Sequence, residues 1–336
     1  MTHRTVFRSA FAAVMLLLSA TAHAQLFRAY LAPSGDDNNA CTLPAPCRLL
    51  PAALAAVADG GEIWMLDSAN YNTGPVNITK SVTILAVPGA LGSVLATGGN
   101  AINVATAGVK VALRNLVIVP YPGGGGTNGI NMTNGASLTI ENCLIANLPG
   151  HAIFVAAGAS VHVTDTTIRD NVGAGLYLSG AARATVTRAT ISGSSTYYGV
   201  LAYGIAGGST VTADIADSTI DKNGTGVIAW SQNATAVVKV SVRDSRVGQN
   251  VGLGVSARSD NAAAVTLSAS NNMISNNGEG IRAISPGSKV WASGNTVSDN
   301  ITGLVNSSGL LESAGDNAVR NNGVDTTGTI TVIATK

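Results

Sequence analysis

The chain has 336 residues, 46% of them apolar and 11% charged, with 39 glycines. That much apolar material with so little charge excludes a disordered polyelectrolyte and points to a tightly turned, β-rich body. The formal charge is +1, and it becomes −1 if Arg4 and Arg8 are cleaved off with the first 24 residues, so nucleic acid finds no basic surface to hold.

Residues 1–24 read as a secretory signal. Arg4 and Arg8 form a basic start, "AFAAVMLLLSA" is the apolar stretch, and Ala22-His23-Ala24 supplies small residues around a cleavage site. The mature chain is predicted to begin at Gln25 and to be secreted or periplasmic. No later run reaches the ~20 apolar residues of a membrane-spanning helix. Export to an oxidising compartment predicts a disulfide between Cys41 and Cys47, which requires their Cα atoms to come within about 7 Å. Cys143 is left over as a buried free thiol, because it lies two residues before Ile145 on the inward parity. Residues 25–61 form an N-terminal segment with a capping helix. Leu50, Leu54 and Val57 share one helical face, Pro51 fits its first turn, and Gly60-Gly61 is predicted to end it.

From residue 62 onward the sequence repeats. Taking the apolar residue before a polar turn as a marker gives Ile118, Ile145, Ile168, Ile191, Ile220, Val247, Ile274, Val297 and Val319, at intervals of 22 to 29 residues. Five positions before each marker stands another apolar residue, from Leu113 and Ile140 through to Ala292 and Ala314. Three positions after the markers come Asn171, Asn223, Asn250, Asn277, Asn300 and Asn322, with Ser194 interrupting the series. Asparagines recurring once per coil can stack at the ~4.8 Å strand spacing and bond one another through their amides. A glycine-led strand follows each turn, as in "GLYL", "GVIAW" and "GIRAI". Period-2 alternation within each repeat excludes helical and leucine-rich repeats and predicts three short strands per coil.

This pattern resembles the right-handed parallel β-helix proteins of the pectate-lyase-like superfamily, in the form exported by bacteria. The resemblance covers about residues 29 to 336 and implies an all-β solenoid of nine or more coils over 62–336. The opening segment then plugs one end of the rod, and "GTITVIATK" is expected to cover the other.

The resemblance also implies where chemistry would sit. Pectin-cleaving hydrolases of this fold carry aspartates at and just before the glycine-led strand, with a Gly-His-Gly one coil on. The matching row here reads Asn128, His151, Ala174, Tyr198, Thr225, Leu253, Glu279 and Thr302. His151 in "GHAIF" echoes the histidine, but no acid stands beside it, and its plainer reading is a solvated turn residue. Glu279 has no carboxylate neighbour in the row, whereas glycoside hydrolysis needs two within about 5–9.5 Å. A lyase would need clustered acids around calcium. Asp214, Asp217, Asp221 and Asp244 fall in two adjacent coils, and "SGDDNN" at 34–39 is a second candidate, yet Asp and Asn are also the ordinary residues of turns. No cofactor is called for, and calcium is the one ion these acids admit.

The outward positions of the glycine-led strands give a different signal. Phe154, Tyr177, Tyr203 and Trp230 fall on one face, with Arg258 and Arg282 at one end. Rings can stack on sugars and arginines can hold the carboxylates of an acidic polysaccharide. The sequence therefore predicts a non-catalytic module binding a polysaccharide or cell-surface glycan through a flat aromatic face. Two alternatives stand beside it: a polysaccharide lyase, hydrolase or epimerase with catalytic groups in unusual positions, and a structural, adhesin-like surface rod. The rings could also be buried beneath the long turns "YGIAGGST" and "WSQNATA".

Overall fold

The computed structural model describes residues 25–333, so the expected signal at 1–24 lies outside the described residues. Strands of two to nine residues repeat in a fixed order around each coil, and every strand pairing is parallel. In a representative coil, Ser137–Glu141 belongs to a 13-stranded sheet (sheet 1), Leu144–Ala146 to an 11-stranded sheet (sheet 2) and Ile153–Val155 to another 11-stranded sheet (sheet 3). The result is the expected all-β solenoid. Its interior is filled by the predicted markers, from Ile118 to Val297, all of them fully buried.

Along the marker series, from Ile118 onward, register follows the repeat with one exception. The last coil slips by one residue: Ala292 pairs with Ser313, so Ser313 takes the inward place expected of Ala314. Gly315 then absorbs the extra residue at φ 82°.

Two corners of the coil are held by side-chain ladders. At the corner between sheets 2 and 3, Asn223, Asn250, Asn277 and Asn300 are buried, and each donates its backbone N–H and side-chain amide to Oδ1 of the asparagine one coil on, at 2.9–3.2 Å. A second ladder, which the sequence reading missed, lines the corner between sheets 1 and 2. Asn272 and Asn295 repeat the amide pattern with Asn295 and Asn317. Above them Ser245, Ser218 and Thr166 accept backbone N–H groups with their hydroxyls. Cys143 is a rung of the same column, its Sγ accepting the Leu116 N–H at 3.5 Å. Burial pushes this thiol up to about 11.

Just before the second-ladder column, the chain turns in the left-handed region in seven successive coils. Asn115, Asn142, Asp165, Arg188, Asp217, Asp244 and Asn271 all have φ between 50° and 55°, a conformation that short polar residues tolerate best. The glycines that lead sheet 3 answer a different need. A Cβ on Gly226 would lie 2.5 Å from the Gly254 carbonyl oxygen and 2.9 Å from the Asn250 amide, so this column is glycine because the coils stack too closely for a side chain.

The N-terminal end is covered as expected. Helix Leu50–Ala56 buries Leu50, Ala53 and Leu54, with Pro51 in its first turn. It ends at Ala56 instead of Gly60-Gly61. Val57 already begins a strand, Val57–Met65, that crosses residue 61 and pairs with Leu26–Leu31. The glycine pair instead accommodates a register shift in this ladder, with Gly60 at φ 78°. The disulfide Cys41–Cys47 is present, with Cα atoms 4.6 Å apart. At the opposite end, Ile330–Val332 is one more strand of sheet 1 and no cover; Val324 and Val332 stand in solvent.

Candidate functional site

Strand pairing on sheet 3 aligns one outward row across the coils. It begins Asn77, Asn103, Asn131, Phe154, Tyr177, continues through Leu201, Ile228 and Ser256, and reaches Arg282. Two residues further along, Tyr203, Trp230 and Arg258 are paired in the same way. In the coils of Tyr198–Gly204, Thr225–Ser231 and Leu253–Ser259 the strand lengthens to seven residues. There Leu201, Ile228 and Ser256 are buried despite their outward parity, flanked by the larger Tyr203, Trp230 and Arg258 side chains.

The four rings form a continuous strip. Phe154 and Tyr177 are stacked with centroids 4.8 Å apart, close to the strand spacing itself. Tyr177 meets Tyr203 edge-on at 6.0 Å and 85°, and Tyr203 tilts against Trp230 at 4.9 Å. Each ring is half-buried. Much of the contact comes from ring against ring, and the long turns add polar tips: the Tyr203 hydroxyl donates to Gln232, and the Trp230 indole N–H donates to Asp260 at 3.0 Å. Burial, reinforced by neighbouring charge, raises both phenols above their ordinary value, so Tyr177 and Tyr203 keep their protons as donors.

Both arginines at the end of the strip are already paired. Arg258 lies over the Trp230 ring at 4.7 Å and bonds Asp260 at 3.0 Å. Burial alone would raise the Asp260 carboxyl, but the hydrogen bonds from Trp230 and Arg258 outweigh it and hold it below its ordinary value. Arg282 pairs with Glu279 at 3.1 Å and donates to Ser307. The cationic end foreseen for acidic ligands is therefore neutralised by its own neighbours.

His151 sits beneath the strip, 5.6 Å from Phe154 and 5.1 Å from Tyr177 between ring centroids. Its Nδ1 accepts the Ala174 N–H at 2.9 Å, which a doubly protonated ring could not do. Burial lowers its affinity for protons. It is thus a half-buried structural contact and not the solvated turn residue expected. Asn128, one coil before it, spends its Oδ1 on the His151 backbone N–H.

The acids proposed for calcium do not converge. Asp214 is an outward residue of sheet 1, Asp217 and Asp244 occupy the left-handed turn, and Asp221 belongs to sheet 2. In the 34–39 loop, Asp36 accepts from Asn38 and Asp37 accepts the Arg48 and Leu49 N–H groups, as turn residues do. Among the described residues no three His, Cys, Asp or Glu side chains are grouped as metal ligands.

The sequence reading missed one part of this face. Asn77 and Asn103 extend the row beyond Asn131 as an amide track, with Asn103 Nδ2 donating to Asn77 Oδ1 at 3.0 Å and Asn103 Oδ1 accepting from Asn100 Nδ2 at 2.8 Å. The marker series starts at Ile118, after these coils, and "VNI" and "INV" carry the only signal: a polar residue between two inward apolar ones.

A parallel three-sheet coil with ladders at two corners and a ring-and-amide row on one sheet defines a right-handed β-helix protein. The chain belongs to that family: the profile described as "Right handed beta helix region" matches residues 93–264. No curated protein matches it in sequence. Among solved structures it is similar to the periplasmic alginate epimerase AlgG, at 13% identity and TM-score 0.51, covering 83% of this chain and 78% of that one. It is also similar to a lacto-N-biosidase from Eubacterium ramulus, at 10% identity and TM-score 0.50, covering 92% and 68%. A rhamnogalacturonan lyase aligns at 12% identity with TM-score 0.46, over 85% and 75%. No helix among the described residues is long and apolar enough to cross a membrane.

Proposed function

We propose that the chain is an exported, non-catalytic β-helix that binds an extended glycan along sheet 3. The observation that carries this reading is the ring row itself: four aromatic side chains from four consecutive coils, contiguous with the amides of Asn131, Asn103 and Asn77. Ring edges and carboxamides repeating along a straight face suit the alternating C–H and hydroxyl surfaces of a sugar chain. The candidate catalytic residues are otherwise engaged. Glu279 is held by Arg282, and the His151 acceptor nitrogen is occupied by a backbone N–H. The named activities of the similar structures, an alginate epimerase and a lacto-N-biosidase, support a carbohydrate ligand. The disulfide supports export.

The test is the double variant Tyr203→Ala/Trp230→Ala, with Tyr121→Ala, an exposed tyrosine away from the strip, as control. Each lost ring contact is worth on the order of 1 kcal/mol, so the double variant should bind glycan more weakly than the parent, by roughly tenfold or more, while the control binds as the parent does. Unchanged binding by a folded double variant would remove the strip from the account.

A further inference from the structure

The outer face of sheet 1 carries a trough that the sheet 3 strip does not explain. Strand pairing sets the row Asp214, Ser241, Ser268, Trp291, Glu312 across five consecutive coils. The two serines leave a gap between the larger Asp214 and Trp291. Two residues earlier in each strand, the parallel row reads Thr212, Lys239, Thr266, Lys289. Together these side chains line a shallow depression of about 520 Å³, a size that suits one or two sugar rings.

Its charges differ in kind from those on sheet 3. All seven ion pairs among the described residues are made by arginines. Lys239 and Lys289 enter none of them and stand exposed, two strands or about 10 Å apart. Between them lies only Thr266. Trp291 is half-buried, and its indole closes one end of the gap. Asp214 and Glu312 mark the two ends of the trough and repel an anion from everywhere but its middle.

We propose that this trough is a second binding site, on a separate face from the sheet 3 strip, for a carboxylate-bearing sugar. The carboxylate sits between Lys239 and Lys289 above Thr266, the ring hydroxyls bond Ser241 and Ser268, and the ring packs against Trp291. Acid selectivity then belongs to sheet 1, where the cations are unpaired, and not to the paired arginines of sheet 3. The site does not depend on the sheet 3 reading, and a protein carrying both would hold glycan on two faces.

The probe is a trimer of galacturonate, titrated calorimetrically into the full chain at low salt, with a trimer of neutral galactose as comparison. Saturable binding of the acidic trimer alone is expected, weakening as salt rises. Lys239→Ala/Lys289→Ala should weaken it roughly tenfold. Trp291→Ala should also weaken it, and Trp291→Phe should restore most of the loss. Tyr203→Ala/Trp230→Ala should leave it within about twofold. No saturable binding of the acidic trimer, equal binding of the neutral one, or parent-like binding by the folded lysine double variant would each overturn the proposal.

Discussion

Replacing Asn250 by alanine should cost far more stability than replacing Asn322, although the two residues make nearly the same bonds. Asn250 Oδ1 accepts the Asn223 backbone N–H at 3.0 Å and its side-chain amide at 3.2 Å. Its own amide donates to the Ile220 carbonyl at 3.3 Å and to Asn277 at 2.9 Å. Alanine strands the Asn223 N–H in a site closed to water. An orphaned buried donor costs ~1–3 kcal/mol and the other lost bonds add ~1 kcal/mol, so Asn250→Ala should destabilise by about 3 kcal/mol. Asn322 accepts the same two groups from Asn300, but it is only half-buried, in the last coils, where water can reach the ladder and replace it. Asn322→Ala should therefore cost about 1 kcal/mol or less. Coils contact only their neighbours, so a break at Asn250 also separates two halves of the stack and should broaden the transition. Urea unfolding followed by circular dichroism measures both effects. Equal losses for the two variants would refute the claim that burial of the ladder, and not its bond count, stabilises the rod.

Two further predictions come from single coils. Ser194 replaces asparagine in the ladder, and its hydroxyl and the Asn171 side-chain amide are both buried without partners; Ser194→Asn should raise stability by about 1 kcal/mol, and a lower melting temperature would mean the corner cannot hold the longer side chain. His151 has its proton affinity lowered from the ordinary 6.5 by burial, so the unfolded chain binds the proton more readily. The stability this residue contributes is complete above about 6.5 and is lost as pH falls through the lower folded value. His151→Gln should flatten that acid limb of the melting profile, and an identical limb in both proteins would assign it to other groups.

Most of the fold was legible because a β-helix writes its geometry into the sequence as alternation plus a once-per-coil asparagine. The second ladder was not legible, for a physical reason. Its rungs need only accept a backbone N–H, so Cys143, Thr166, Ser218, Ser245 and Asn272 all serve, and no single residue type recurs. Parity gave the direction of the strip residues correctly and could not give their cover. Leu201 and Ile228 point outward and are nonetheless buried, and Arg258 and Arg282 are outward cations already claimed by Asp260 and Glu279. Gly60-Gly61 looked like a helix stop because a glycine pair commonly ends helices; here it lies within a strand at a register shift. The trough on sheet 1 was overlooked because it consists of a gap, two serines between larger neighbours, and a gap has no motif.

The most direct test of the central claim is to incubate the purified protein with a panel of acidic and neutral polysaccharides, measuring retained polymer and newly formed reducing or unsaturated ends in the same samples. The account predicts retention of at least one polymer, weakened by Tyr203→Ala/Trp230→Ala, with no new ends at any time point. Accumulation of new ends in proportion to protein would contradict it and make the chain an enzyme.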